Sequence, residues 1–325
     1  MKETLRSIRT ALLCFVIVLI LNFLLPRMLP GDPVAYLTGF AEEDMTPAQV
    51  EYYRTALHLD ESGFRQFLWY LRSLLDGTLG YSYKKNAVVS ALIGERLGYT
   101  LQITLPAVAL STLLGLGWGL RCGTKKGSAE DSLSTSALIV LNAVPTFVLA
   151  LVLMIFCCFT HKWLPYTGLN DAGVAPGTRA YVLDRLRHLL LPVLTLTLST
   201  MPSRYLLMRN TAATAADEKY VLYARERGLS ERKIRFRYVF PNIAQPFLTM
   251  VGMSVSTCVG GSLVLENIFS IPGMGSLLTE AVYSLDYPLM QGILAVTTLI
   301  MVVAIVVTDV LCVLIDPKLR KGESA

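Results

Sequence analysis

The sequence predicts an all-α membrane protein with six transmembrane helices. Three observations lead there. The 325 residues are 53% hydrophobic and only 16% charged, with a mean hydropathy of +0.52, whereas soluble domains carry about 25% charged residues. The apolar residues fall in six blocks, 10–29, 100–120, 133–159, 189–208, 243–265 and 289–314, interrupted only by Arg27, Arg204 and Asp309. Roughly 20 apolar residues cross a bilayer as a helix, which satisfies its own backbone hydrogen bonds in lipid. Finally, with both termini placed in the cytoplasm, the inner segments hold 18 of the 29 Lys and Arg, and 14 of the 24 acids lie outside. That asymmetry sets the orientation.

The domain organisation follows in order. Residues 1–29 form a tail and the first span. Lys2, Arg6 and Arg9 precede this apolar run as in a signal peptide, but Pro26, Arg27 and Met28 follow it where a cleavage site would need small residues. Residues 30–98 form an extracytoplasmic subdomain that opens on the turn Pro30-Gly31-Asp32-Pro33. Phe64, Phe67, Leu68, Leu71 and Leu75 recur at helical spacing, and Val50, Tyr53 and Leu57 repeat the pattern more weakly. Two amphipathic helices are expected there, either capping helix ends or facing an external partner. Residues 99–315 form the core with the other five spans, and 316–325 form a cytoplasmic tail.

Within the core, Pro145 is expected to kink the third span by removing a backbone hydrogen bond. Gly252, Gly260 and Gly261 allow close helix approach in the fifth. Asp309 is an acid deep in the sixth, where it serves either a pathway or an ion pair with Lys318 and Arg320. Glu266 ends the fifth span as a gate residue or as an interfacial carboxylate. Asn142, Pro145, Ser254, Ser256, Thr257 and Glu266 are the channel or gate candidates. The six cysteines, Cys14, Cys122, Cys157, Cys158, Cys258 and Cys312, match neither a disulfide framework nor a zinc spacing. No metal site is expected.

The cytoplasmic loop 209–242 departs most from this apolar background. Asp217 to Arg227 fits a short helix with Asp217 and Glu218 in its first turn. Gly228 suits a left-handed stop and Ser230 an N-cap. A second helix from Glu231 to Phe240 should end before Pro241. Tyr220, Val221, Ala224 and Leu229 make an apolar stripe ringed by Arg225, Arg227, Arg232, Lys233, Arg235 and Arg237. Such a hairpin either lies on anionic headgroups or docks its apolar stripe into a groove on another protein.

Here the sequence resembles a family. Tyr220-Val221-Leu222-Tyr223-Ala224-Arg225-Glu226-Arg227-Gly228-Leu229-Ser230, with Tyr238-x-Phe240-Pro241 after it, is similar to the cytoplasmic signature of binding-protein-dependent ABC import permeases of the dipeptide/oligopeptide/nickel branch. Leu222 and Tyr223 stand where the general signature has Glu and Ala, and Tyr238 and Phe240 where it has Ile and Leu. Pro30-Gly31-Asp32-Pro33, Asp76-Gly77-Thr78-Leu79-Gly80-Tyr81-Ser82, Glu266-x-x-Phe269-x-x-Pro272-Gly273-x-Gly275, Asp286-Tyr287-Pro288 and Asp316-Pro317-Lys318-Leu319-Arg320 also resemble stretches of its B-type subunits.

The resemblance implies the type I ABC importer transmembrane fold in a bacterial or archaeal plasma membrane. The partners it implies are a second homologous permease, two ABC ATPase subunits and an extracytoplasmic solute-binding protein. Tyr220, Val221, Ala224, Arg225, Gly228, Leu229, Ser230, Tyr238, Phe240 and Pro241 would form the ATPase-coupling loop, with an Ala224/Leu229 knob as its packing surface. The implied cargo is peptide, with nickel, a metal chelate or an opine as the alternative.

The chain has no Gly-x-x-x-x-Gly-Lys-Ser/Thr, so ATP and Mg are expected on partner subunits and no cofactor on this one. His58, His161 and His188 are scattered, with neither His-Glu-x-x-His nor Gly-x-Ser-x-Gly, so no enzyme is expected. Nothing points to nucleic acid. An autonomous secondary transporter would show internal repeats and midplane ionisable residues, for which Asp309 alone is thin support.

Overall fold

The computed structural model describes residues 2–24, 27–28, 33–38, 45–256, 258, 260 and 262–315. The segments 29–32 and 316–325, with Lys318, Arg320 and most of two resemblance motifs, lie outside them, as do Thr257 and Gly261.

The described residues are almost entirely helical. α1 (Lys2–Leu24) leads through α2 (Pro33–Thr38) to α3 (Pro47–Ala56) and α4 (Gly63–Leu75). Both expected amphipathic helices are present. Thr46 opens α3 with a reciprocal capping box to Gln49. Phe67 and Tyr70 of α4 set their rings 5.1 and 5.8 Å from that of Phe23 on α1. The apolar face of α4 is only half used, since Phe64 and Leu75 stay exposed. A two-residue hairpin, β1 (Tyr81–Ser82) with β2 (Ala87–Val88), pairs Tyr81 with Val88 and feeds α5 (Val89–Gly123).

α5 and α8 (Arg179–Ala216) share the most extensive helix pairing. Gly115, Gly119 and Gly123 recur every four residues on one face of α5. A Cβ at Gly115 would stand 2.8 Å from Arg204 Cβ, and one at Gly119 2.7 Å from the Tyr205 carbonyl; at Gly123 it would collide with the Arg209 carbonyl. Helices this close need backbone against backbone. We predict that Gly119→Val blocks this approach, lowering the yield of folded membrane protein severalfold, at a cost of about 3 kcal/mol for overpacking. Gly94→Ala, with nothing within 4 Å of its Cβ, should be neutral or stabilising. Folded yield after detergent extraction distinguishes the two.

At 38 residues, α8 is about 57 Å long. It runs eight residues past the expected end of the fourth span because Ala212, Ala213, Ala215 and Ala216 are buried. α6 (Ala129–Asn142) and α7 (Thr146–Met154) take the place of the third span, and α7 runs on into a π-helical turn, Ile155–Thr160. The expected kink at Pro145 is a full break of 96°, with Pro145 as the N-cap of α7.

The fifth span is shorter than expected. α11 (Phe240–Ser256) ends before the separate α12 (Leu263–Ile268). Of the fifth span's glycines, Gly252 makes a close approach, where a Cβ would collide with Thr308; Gly260 has nothing within 4 Å. α13 (Met274–Tyr283) leads to α14 (Tyr287–Ile315), which packs between α1 and α11. By length and apolarity α5 and α14 can cross a membrane, and α6 with α7 makes a third if the bent pair counts as one span.

Candidate functional site

The hairpin within loop 209–242 folds as two short helical pieces, α9 (Lys219–Glu226) and α10 (Glu231–Ile234). Gly228 takes φ +73°, the left-handed stop its position requires, and Ser230 is the N-cap of α10. Two details differ from expectation. Glu218 is the N-cap of α9 and Asp217 closes α8, so neither acid lies in the first turn of α9. After α10 the chain passes through a π-helical turn, Arg235–Val239, into α11 without stopping at Pro241. Pro241 sits inside this continuous helical run, and the π-helical turn just ahead of it is the irregularity that accommodates its missing N–H.

The larger correction concerns facing. Val221 and Ala224 are buried within this chain, 0% and 3% exposed, against Leu120, Met208, Ala212, Ile234 and Ile243. Leu229, Tyr238 and Phe240 pack on the same cluster. The stripe therefore faces the protein's own helices, and Ala224 is not an outward knob. Tyr220, Leu222 and Tyr223 point outward, with Phe236 beyond the turn. Gly228, Ser230 and Pro241 are exposed beside them. Leu222, Tyr223 and Phe236 are residues that sequence reasoning left out, although their opposite helical phase marked them.

Arg225 fastens the hairpin to the rest of the fold. It donates to the Thr124 carbonyl at 2.9 Å, and Arg235 reaches the Thr124 hydroxyl at 3.3 Å. Asp131, in the first turn of α6 and ahead of the apolar run that starts at Leu133, takes a bidentate pair from Arg209 of α8 at 2.8 and 2.5 Å. It also accepts from Gly127 N. The loop between α5 and α6, the end of α8 and the hairpin are thus one hydrogen-bonded block.

Arg209, hydrogen-bonded to it, holds the Asp131 carboxyl below the usual carboxylate range. A depressed folded pKa stabilises above the unfolded value, and that contribution fades as pH falls through the folded one. Asp131→Ala should cost about 3 kcal/mol near neutrality, the lower end for a broken buried pair. The gap to wild type should narrow below about pH 4. Thermal melts across that range check both.

Glu266 of α12 is fully buried. Its carboxylate accepts from Thr100 and Ser262 hydroxyls at 2.7 Å each, and from Gly275 N and Ser276 N at 2.7 and 3.0 Å. Thr100 in turn accepts from Met274 N at 2.8 Å. The first three amides of α13, which no helix can satisfy internally, are all capped this way. The glycines of the motif follow: a Cβ at Gly273 would stand 2.5 Å from the Glu266 carboxylate, and one at Gly275 3.0 Å from its oxygen. Nearby, Asp286 takes the Ser82 hydroxyl and the Leu289 amide at the start of α14. That contact ties the β1–β2 hairpin to the last helix.

Between α8 and α11 lies an open groove of about 740 Å³. Thr200, Ser203 and Arg204 border it on α8, and Gln245, Thr249 and Ser254 on α11. Of the channel candidates among the described residues, only Ser254 lines it. The Ser256 hydroxyl bonds its own helix at the Gly252 carbonyl, and Asn142 and Pro145 are exposed at the α6–α7 break. Of the three histidines, His188 lies beside two acids. His188 Nδ1 is 3.0 Å from the Asp184 carbonyl and Nε2 is 3.6 Å from the Asp171 carboxylate. Asp184 is itself held by Asn170 and by the Asp171 amide.

The described residues form a helical protein with a basic hairpin at one place and an open groove between α8 and α11, which suits a membrane component of a transport system. The sequence model described as "Binding-protein-dependent transport system inner membrane component" matches residues 88–321, and the chain belongs to that family. It is 32% identical over 306 residues to a putative peptide permease protein of Brucella ovis, covering 93% of each chain. It is likewise 32% identical over 316 residues to a putative peptide transport system permease protein of Brucella abortus, covering 97% of this chain and 98% of that one. The oligopeptide transport system permease protein AppB of Bacillus subtilis is 27% identical over 302 residues, 93% of each.

Proposed function

We propose that this chain is one of two permease subunits of an ATP-driven peptide importer in a bacterial plasma membrane. In this reading six spans cross the membrane with both termini inside, and α1, α5, α6–α7, α8, α11 and α14 supply them. A second, homologous permease completes the channel. Two ATPase subunits dock on the α9–α10 hairpin, and a solute-binding protein delivers di- or oligopeptides to the outer face. The peptide names of the relatives support the cargo. A nickel or metal-chelate cargo is the alternative that the branch resemblance leaves open.

The observation that carries this reading is the hairpin. It is exposed, basic and aromatic on one side. On the other it is packed against α5, α8 and α11 and hydrogen-bonded to Thr124 at the end of α5. A force applied at Tyr223 therefore reaches the two helices that border the groove. Chemical work has to come from a partner, because the chain carries no phosphate-binding loop. A ligand shifts such an assembly only through contacts that differ between its two states.

The test is purification of the tagged chain in mild detergent, with identification of its companions and assay of ATP hydrolysis. A second permease together with P-loop ATPases is the expected result. A chain that purifies alone, stable and without ATPase activity, would overturn the reading. The adjacent binding protein can then be titrated with peptides and with nickel.

A further inference from the structure

Arg204 lies in the fourth apolar block, 6% exposed, on the wall of the α8–α11 groove. A guanidinium stays charged and offers five N–H donors in a planar fork matched to a carboxylate. Here Ser111 Oγ, 2.5 Å from Nη1, is its one hydrogen-bond partner among the described residues. Nε is buried without any acceptor, and no carboxylate among the described residues lies within ion-pair distance. Charged side chains in a membrane domain are retained where they face a cavity or a partner, and a buried donor left unpaired is destabilising. The protein therefore keeps an unneutralised cation beside its groove.

The rest of the groove narrows what could neutralise it. Thr200 and Thr249 donate their hydroxyl protons to carbonyls of their own helices at 2.7 and 3.1 Å, and Ser203 does the same at 2.9 Å. These hydroxyls keep only lone pairs for a visitor, so they accept. The groove thus offers one cationic fork, the Gln245 amide and a row of weak acceptors on an apolar floor that includes Met250 and Met253. A peptide end has the complementary set: one carboxylate, backbone N–H donors and apolar side chains.

We propose that Arg204 is a transient carboxylate subsite of the translocation groove, engaging the free C-terminal carboxylate of a peptide in transit. The proposal rests on the peptide-importer reading and adds a position and a chemical group to it. The contact is transient because a single guanidinium, already shared with Ser111, holds the carboxylate at one end only. Hydroxyl acceptors that bind any N–H equally let the remainder slide.

The test uses the complete complex with its binding protein, reconstituted in proteoliposomes. The cargoes are two tripeptides of one sequence, a free acid and its C-terminal amide, chosen so that the binding protein holds both. Arg204→Gln should cut uptake of the acid at least tenfold and of the amide less than twofold, each relative to wild type. Arg204→Lys, which keeps the charge, should stay within about threefold of wild type on both. Equal losses on acid and amide would mean a structural role and overturn the proposal, as would unchanged uptake of both. Loss of the second permease from purified Arg204→Gln complex would overturn it too, by placing the charge at a subunit contact. Wild-type complex that carries neither peptide would overturn the peptide reading itself, and this proposal with it.

Discussion

Glu266→Ala should unfold the outer half of the bundle, and it is expected to be among the most damaging single substitutions in the chain. Four donors converge on this carboxylate, two of them backbone amides of α13 with no other acceptor. Stranding a buried donor costs about 1–3 kcal/mol, and the two amides alone bring the loss to about 4 kcal/mol. The hydroxyls of Thr100 and Ser262 can turn elsewhere. The amides cannot, because the α13 backbone fixes their direction.

The isostere separates a capping role from a gating one. In Glu266→Gln the amide oxygen can still take Gly275 N and Ser276 N, while the NH2 donates to the hydroxyls of Thr100 and Ser262. The expected cost is about 1 kcal/mol, chiefly the lost interaction of a negative charge with the helix N-terminus. Gly273→Ala should resemble Glu266→Ala, because its Cβ would displace the same carboxylate. Thermal melts of the purified complex should therefore rank alanine and Gly273→Ala far below glutamine, with glutamine close to wild type. If Glu266 were a gate, glutamine would leave the melt unchanged and alter transport alone.

That cap shows what the sequence could and could not disclose. The Glu-to-Gly spacing was visible, and so was the position of Glu266 at the end of an apolar run. Its partner Thr100 lies 166 positions away, and no local pattern joins them. The hairpin shows a second limit. Periodicity placed Val221 and Ala224 on one stripe, and Gly228 and Ser230 at the turn. A stripe says that a helix has an apolar face and is silent on what covers it. Here the ends of α5, α8 and α11 cover it. The Gly115, Gly119 and Gly123 repeat, by contrast, was fully present in the sequence. A search for small residues four apart would have marked that face of α5 for close helix packing, though not α8 as its partner. The break at 256–263 divided a run of small and polar residues that reads by hydropathy as one apolar block.

The corrected facing changes what coupling mutants should do. Ala224→Arg would force a long cation into a site that is 3% exposed, so it should lose the folded subunit and every companion together. Tyr223 is 62% exposed, so Tyr223→Ala should leave the subunit and the second permease intact. If the ATPase seats on this face, truncating a central aromatic costs about 2 kcal/mol of docking, roughly thirtyfold in affinity. Gly228 sharpens the test. No atom lies within 4 Å of its built Cβ, so this chain alone has room for a side chain, and the price is left-handed strain of about 1 kcal/mol. Asn and Asp tolerate that conformation better than other residues, whereas Val does not. If strain were the only problem, Gly228→Asn and Gly228→Asp would transport normally and Gly228→Val would fail. If the turn enters an ATPase groove, all three should fail in uptake, while Asn and Asp keep wild-type thermal stability and recovery of the second permease. Wild-type uptake by Gly228→Asp, with ATPase subunits still bound, would remove the hairpin from the coupling path.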